Sequence, residues 1–332
     1  MNTNDKPSRR SVIKTISLCS STYLFTPSAF GATAQKKPLC FGLISDVHQD
    51  VMHDGVERLG AFVKAMNQQK PDFVCQLGDF CVPHDRNQAF MEEWKKIESP
   101  KHHVIGNHDM DGGYKPQQTM KFWGMEKSHY TFDSRGVRFI VLDGNEPGGK
   151  VGGYKRFISK KQMDWLHDQL EKSSLPVIVF IHQPVDGHLS GIENSAELRG
   201  VLAAAKTPKG DTKVIACFCG HNHDNSAVNV NGIHYLRINS ASYLWMGGKY
   251  KKEMYDKEIH KKHPYISATV PYKTPIWASI EIDLTAGKMI VKGAETSWVG
   301  LDPWERGITE KIKDPKVVAP RISDRTLGLN PS

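Results

Sequence analysis

Nothing in this sequence approaches the ~18 consecutive apolar residues that a membrane-spanning helix needs, so no transmembrane anchor is expected. Basic residues outnumber acidic ones, 44 to 36, giving a formal charge of +8. They form no dense run interleaved with aromatics, and a stable nucleic-acid partner is therefore not expected. The excess favours small anionic substrates or surfaces. The six cysteines have neither zinc-ribbon spacing nor the density of a disulfide scaffold. Cys40, Cys75, Cys217 and Cys219 lie inside apolar runs and read as small buried hydrophobes rather than disulfide partners. There is no internal repeat and no low-complexity tract.

What is present begins with an address. Ser8-Arg9-Arg10-Ser11-Val12-Ile13-Lys14 resembles the twin-arginine export motif. An apolar segment from about Val12 to Phe25 follows, and Ala32-Thr33-Ala34 offers a small-x-small cleavage site. Residues 1–34 thus read as a signal peptide, with the twin-arginine export machinery as partner and a periplasmic or secreted destination. Cys19 follows Leu18, where a lipid-attachment site would want a small residue, so lipidation is not expected.

The body alternates short apolar runs with helical patterns. Leu39 to Ser45, Phe73 to Leu77, His103 to Ile105, Arg138 to Leu142, Val177 to Ile181 and Val214 to Cys219 read as buried strands. Between them, 55–69, 87–97, 159–170 and 193–205 have helical spacing. Ser159 and Gln162 stand at capping-box spacing. Asn231-Gly232 marks a hairpin within 227–238, and Gly287 a turn between strands 277–283 and 288–292. This pattern predicts layered α/β architecture, with a mixed β-sheet core of two packed sheets flanked by helices. A domain over 35–300 is expected, with a polar surface-wrapping tail over 301–332.

Five of the strands end in residues able to hold a cation: Asp46-x-His48, Gly78-Asp79, Gly106-Asn107-His108-Asp109, His182, and Gly220-His221-x-His223. Oxygen and imidazole donors without thiolate suit Mn, Fe, Zn or Ni. Asp46, His48, Asp79, Asn107, His182, His221 and His223 are too many for one tetrahedral ion and about right for two ions sharing a carboxylate. The glycines before Asp79, Asn107 and His221 are expected to let the chain turn sharply as it leaves the sheet.

In this order the five blocks resemble the calcineurin-like metallophosphoesterase family, over roughly Leu39 to Lys292. The resemblance implies a first ion at Asp46, His48 and His223, a second at Asn107, His182 and His221, and Asp79 bridging both. It implies that His108 faces the substrate and either donates a proton to the leaving oxygen or stabilises charge on the phosphoryl group, with Asp109 orienting it. The implied activity is hydrolysis of phosphomonoesters or phosphodiesters by a water activated between two divalent or trivalent ions, Mn, Fe or Zn. His48 and Val82 depart from the purple acid phosphatase pattern, so a tyrosinate–iron colour is not expected. The rival reading is a catalytically inactive phosphate- or nucleotide-binding protein on the same fold. His53, His84, His102, His103, His129, His167 and His188 lack such company and read as surface or supporting groups. The aromatic and lysine-rich segment 240–276 is either a substrate cap or a solvated insertion packed on the sheet.

Overall fold

Residues 37–309 and 313–329 are described by a computed structural model. The export address in residues 1–34, with Cys19, lies outside the described residues. In chain order the first half forms β1 (Leu39–Ile44), α1 (Gly55–Gln69), β2 (Phe73–Gln76), α2 (Gln88–Lys95), β3 (Lys101–His103), α3 (Pro116–Trp123), β4 (Tyr130–Ser134) and β5 (Val137–Val141). Next come α4 (Lys160–Lys172), β6 (Val177–Phe180), α5 (Ser195–Ala204), β7 (Val214–Cys219), β8 (Ser226–Val230) and β9 (Ile233–Arg237). The last part holds β10 (Tyr243–Trp245), α6 (Lys257–Lys262), β11 (Thr269–Pro271), β12 (Ala278–Asp283), β13 (Lys288–Lys292), β14 (Ala294–Glu295), β15 (Arg321–Ile322) and β16 (Arg325–Gly328).

Most of the strands build two six-stranded mixed sheets, β16-β13-β12-β1-β2-β3 and β4-β5-β6-β7-β9-β8, while β10 pairs with β11 and β14 with β15. Their central strands are parallel, β1 to β2 to β3 and β5 to β6 to β7 to β9. The period-2 alternation of a strand assigns each side chain to a layer. Phe41, Phe73, Phe139, Phe180 and Phe218 meet between the sheets, with Phe41 stacked on Phe73 at 4.8 Å and edge-on to Phe139 at 5.5 Å. The opposite faces bury Ile44 and Val74 with Leu59, Phe62 and Met66 of α1, and Ile140, Val179 and Cys217 with Met163, Leu166 and Leu198 of α4 and α5. The result is the expected sandwich of two mixed sheets between helical layers.

Cys40, Cys75, Cys81, Cys217 and Cys219 are free thiols; Cys75, Cys217 and Cys219 are buried as expected, Cys81 is buried too, and Cys40, expected to be buried, is only half-buried. Asn231 and Gly232 both have positive φ, which closes the β8–β9 hairpin. The capping box at α4 is only half formed. Ser159 Oγ accepts from Gln162 N at 3.2 Å, but the Gln162 side chain is drawn away to the Asp143 carbonyl at 2.9 Å and the Glu146 carboxylate at 2.6 Å. The tail does more than wrap the surface: β16 pairs antiparallel with β13 and completes the first sheet.

Candidate metal centre

Parallel strands deliver their carboxyl ends to one edge of a sheet, and here both sheets do so at the same edge. Asp46 and His48 follow β1, Asp79 follows β2, Asn107 and His108 follow β3, His182 follows β6, and His221 and His223 follow β7. Asp46 N donates to Gly78 O at 3.0 Å and His48 N to Asp79 O at 3.0 Å, so the first two loops run as a short ribbon. Gly220 N donates to His182 O at 3.0 Å within the second sheet, and the two sheets are joined where His182 Nδ1 donates to Leu77 O at 2.7 Å.

Six of the seven candidate ligands converge in two groups. Asp46, His48 and His223 form one group and Asp79, His182 and His221 a second, each offering atoms within 4.8 Å of one another. In the first, His48 Nε2 lies 3.1 Å from His223 Nε2, and Asp46 Oδ1 lies 3.2 Å from His223 Nε2 and 3.8 Å from His48 Nε2. In the second, His182 Nε2 lies 3.1 Å from Asp79 Oδ2 and 3.3 Å from His221 Nδ1. Asp79 Oδ2 is also 3.6 Å from His48 Nε2, so a single oxygen faces both groups. Its other oxygen, Oδ1, accepts from His108 N at 2.8 Å. Asn107, 3 % exposed, leaves both amide atoms buried without a partner among the described residues.

These donors fit a pair of cations. Two ligands bound at about 2.1 Å with a right or tetrahedral angle between them are about 3.0–3.4 Å apart, the spacing of most of these pairs. The tautomers agree. A carbonyl can only accept, so His182 Nδ1 facing Leu77 O and His223 Nδ1 facing Tyr243 O at 2.8 Å must carry hydrogen. In each neutral ring that leaves a bare Nε2 lone pair aimed into the site, the usual arrangement of a metal-binding histidine. An orphaned buried amide costs about 1–3 kcal/mol, and a cation at Asn107 Oδ1 removes part of that cost.

The backbone is bent to the task. Asp46, His48, Asp79, His221 and His223 all have φ between 51° and 72°, the left-handed region. Each such non-glycine residue costs about 1–3 kcal/mol, and clusters of them are found at functional sites. The glycines are only partly as expected. Gly78 does turn the chain at φ 101°, but Gly106 and Gly220 do not have positive φ. Their role is close approach. A Cβ on Gly106 would stand 2.2 Å from Asp79 Oδ1, and one on Gly220 would stand 2.4 Å from Asp46 Oδ2.

Charge balances within the site. Burial alone would raise the Asp46 carboxyl, but His223 and His182 hold it at about 2. Burial likewise opposes ionisation of Asp79, and His182 and His108 hold it well below the usual carboxylate range. His182 is pushed up to about 10 against burial, chiefly by Asp79. Burial drives His48 and His221 down to about 3, into the neutral form a metal requires.

His108 sits beside this cluster, 40 % exposed, with its ring 5.3 Å from that of His48. Asp79 and Asp111 raise its pKa to about 9 against burial. The expectation that Asp109 orients His108 is corrected here. The Asp109 carboxylate is taken up by three backbone amides, Asp79 N at 2.9 Å, Phe80 N at 2.6 Å and Gly106 N at 2.7 Å. It braces the loops that carry Asp79 and Asn107, and the carboxylate at His108 is Asp111, 2.7 Å from Nδ1.

Sequence reasoning also missed Ser240 and Ser242. Their hydroxyls donate to Asp46 O at 2.8 Å and Val47 O at 2.7 Å, pinning the strained Asp46–His48 loop. The short polar run Asn239-Ser240-Ala241-Ser242 directly after β9, buried throughout, was the available signal. Within the 240–276 segment, Tyr243 is buried, with its ring 5.0 Å from His48 and 4.9 Å from His223. It supports ligands, while Trp245 next to it is 42 % exposed.

A family model described as calcineurin-like phosphoesterase matches residues 41–225, the stretch that contains every candidate ligand. No curated protein matches the chain. Among solved structures, a dimetal phosphatase from Danio rerio aligns at 17% identity and TM-score 0.56, covering 79% of this chain and 99% of that one. GAP50, the anchor in the inner membrane complex of Plasmodium, aligns at 17% identity and TM-score 0.51, covering 80% and 90%. Likeness at that identity speaks for the fold alone, whereas the family match spans more than half of the chain. On that match, this chain belongs to the calcineurin-like phosphoesterase family.

Proposed function

We propose that the protein is a two-metal phosphate ester hydrolase, with Asp46, His48 and His223 holding one ion, Asn107, His182 and His221 the other, and Asp79 Oδ2 shared. The observation that carries this reading is the pair of three-residue donor groups facing one carboxylate oxygen, with the unpartnered Asn107 amide alongside. Bound there, two ions supply a nucleophile from water at neutral pH and clamp the phosphoryl oxygens. The chain's own residues do the rest. Asp79 Oδ1, fixed by the His108 amide, keeps Oδ2 turned to both groups. His108 gives a proton to the oxygen that departs. Mn, Fe and Zn all suit this donor set. Export by the twin-arginine pathway to the periplasm or beyond remains part of the proposal, resting on the 8–34 segment.

The rival reading, phosphate or nucleotide capture without turnover, keeps the same donors. Incubating the Mn²⁺-loaded protein with 4-nitrophenyl phosphate and bis(4-nitrophenyl) phosphate separates the two. Release of nitrophenolate that stops on chelation is expected, and binding without release would favour capture.

Metal uptake should also expel protons. Asp79 raises the pKa of His182, so in the metal-free protein its ring is expected to be protonated at neutral pH. A cation at Nε2 needs the lone pair that this proton occupies. Protons and metal therefore compete, and affinity rises with pH from neutrality towards about 10, where the ring empties by itself. Calorimetry at pH 7.5 in two buffers of different ionisation enthalpy should show on the order of one proton released per protein. Heats that do not depend on the buffer would contradict this.

A further inference from the structure

His108 is tethered by two residues that the metal-ligand pattern does not include. Its Nδ1 lies 2.7 Å from Asp111 Oδ2. The Tyr154 hydroxyl donates to the other oxygen, Asp111 Oδ1, at 2.8 Å, and stands 3.1 Å from His108 Nδ1. The His108 and Tyr154 rings are 4.6 Å apart. One carboxylate thus binds the imidazole and the phenol together.

Local structure explains how they meet. A single 3-10 turn over His108–Met110 brings Asp111 back beside His108, and Gly112 and Gly113, both with positive φ, then lead the chain away. Tyr154 arrives from a glycine-rich loop containing Gly148, Gly149, Gly152 and Gly153. That loop is anchored: the Glu193 carboxylate accepts from Lys150 N at 2.6 Å and Val151 N at 3.1 Å, and Gly148 packs so tightly that a Cβ would stand 2.7 Å from the Phe157 ring.

We propose that Asp111 and Tyr154 are positioning residues for His108 and that the Tyr154 ring walls the path of the leaving group, so that together they determine whether esters of unactivated alcohols are hydrolysed. The proposal rests on the phosphoesterase reading. Donation of Nδ1–H to Asp111 selects the tautomer and leaves Nε2 as the nitrogen that addresses substrate. His108 is partly exposed, and without the tether its ring would sample several rotamers. When the P–O bond to the alcohol breaks, its electron pair goes to the leaving oxygen, which takes the proton from Nε2. Water's oxygen forms the new P–O bond, and the proton it sheds is returned to the ring through solvent. An alkoxide needs that proton to leave, whereas 4-nitrophenolate is stable as an anion. Tethering therefore matters most for alkyl esters.

The test compares wild type, Asp111→Asn and Tyr154→Phe, each loaded with Mn²⁺, on 4-nitrophenyl and alkyl phosphate esters of equal substitution. Asp111→Asn is expected to retain its metal and its KM, to lose on the order of a hundredfold in kcat on the alkyl ester, and only a few-fold on the nitrophenyl ester. Tyr154→Phe should show the same selectivity at smaller size. Equal losses on both esters, or an unchanged alkyl rate, would overturn the proposal. A second readout does not depend on turnover. In metal-free protein with ¹⁵N-labelled histidine, at a pH where the ring is neutral, His108 should be the Nδ1–H tautomer, shifting towards Nε2–H in Asp111→Asn. The same tautomer in both proteins would also overturn it. If wild type hydrolyses neither ester, the phosphoesterase reading is what fails, and the tautomer alone decides the tether.

Discussion

A single methyl group at Gly106 is expected to strip the protein of its metal. In Gly106→Ala the new Cβ would stand 2.2 Å from Asp79 Oδ1, 2.3 Å from Asp79 N and 2.9 Å from Asp79 Cγ. A flexible side chain could swing away, but a backbone nitrogen cannot. That nitrogen is itself held by Asp109, which also accepts from Gly106 N. The strain therefore falls on Asp79, whose Oδ2 is the one oxygen facing both donor groups. Overpacking of this kind costs about 1–3 kcal/mol, which leaves the sandwich folded. Elemental analysis should fall from two ions per chain to well under one. Activity should drop on the order of a thousandfold, with an unchanged circular dichroism spectrum. Full metal content in this variant would show that Asp79 is not the shared ligand.

Replacing His108 has the opposite signature. His108 contributes its backbone amide to Asp79 Oδ1, and that contact survives a side-chain change. Its imidazole belongs to neither donor group. His108→Gln should therefore keep both ions while kcat falls by about 10²- to 10⁴-fold, the usual contribution of a positioned general acid. KM should change little. Loss of metal in this variant would reassign His108 as a ligand, and undiminished kcat would remove its role in proton transfer.

The strands that position the site were legible because each is an apolar run that ends abruptly in a polar residue. β1, β2, β6 and β7 are buried on both faces, so their sequences are continuously hydrophobic and their ends are sharp. β4, reading Tyr130–Ser134, and β16, reading Arg325–Gly328, lie at sheet edges with half-exposed side chains and carry no such run. β16 pairs with β13 across an intervening stretch of chain, so no local pattern announces the pairing. Within the site, the ligands were visible as residue types at strand ends, but their supports were not. Asp109 and Asp111 are both acidic neighbours of His108, and only the turn geometry decides that Asp111 reaches Nδ1 while Asp109 collects amides. Tyr154 is brought in by the packing of a distant loop, which leaves no local pattern to read, while the polar run 239–242 was the one trace of Ser240's support. Gly106 and Gly220 were noticed for the wrong property, since freedom of φ and absence of a side chain look identical in a sequence.

The most direct measurement is anomalous diffraction at the manganese edge from crystals grown with Mn²⁺. Two peaks about 3.5–4 Å apart are predicted, one among Asp46, His48 and His223 and the other among Asn107, His182 and His221, with Asp79 Oδ2 touching both. A single peak, or density only at a surface group such as His167, Asp168 and Glu171, would contradict the paired centre.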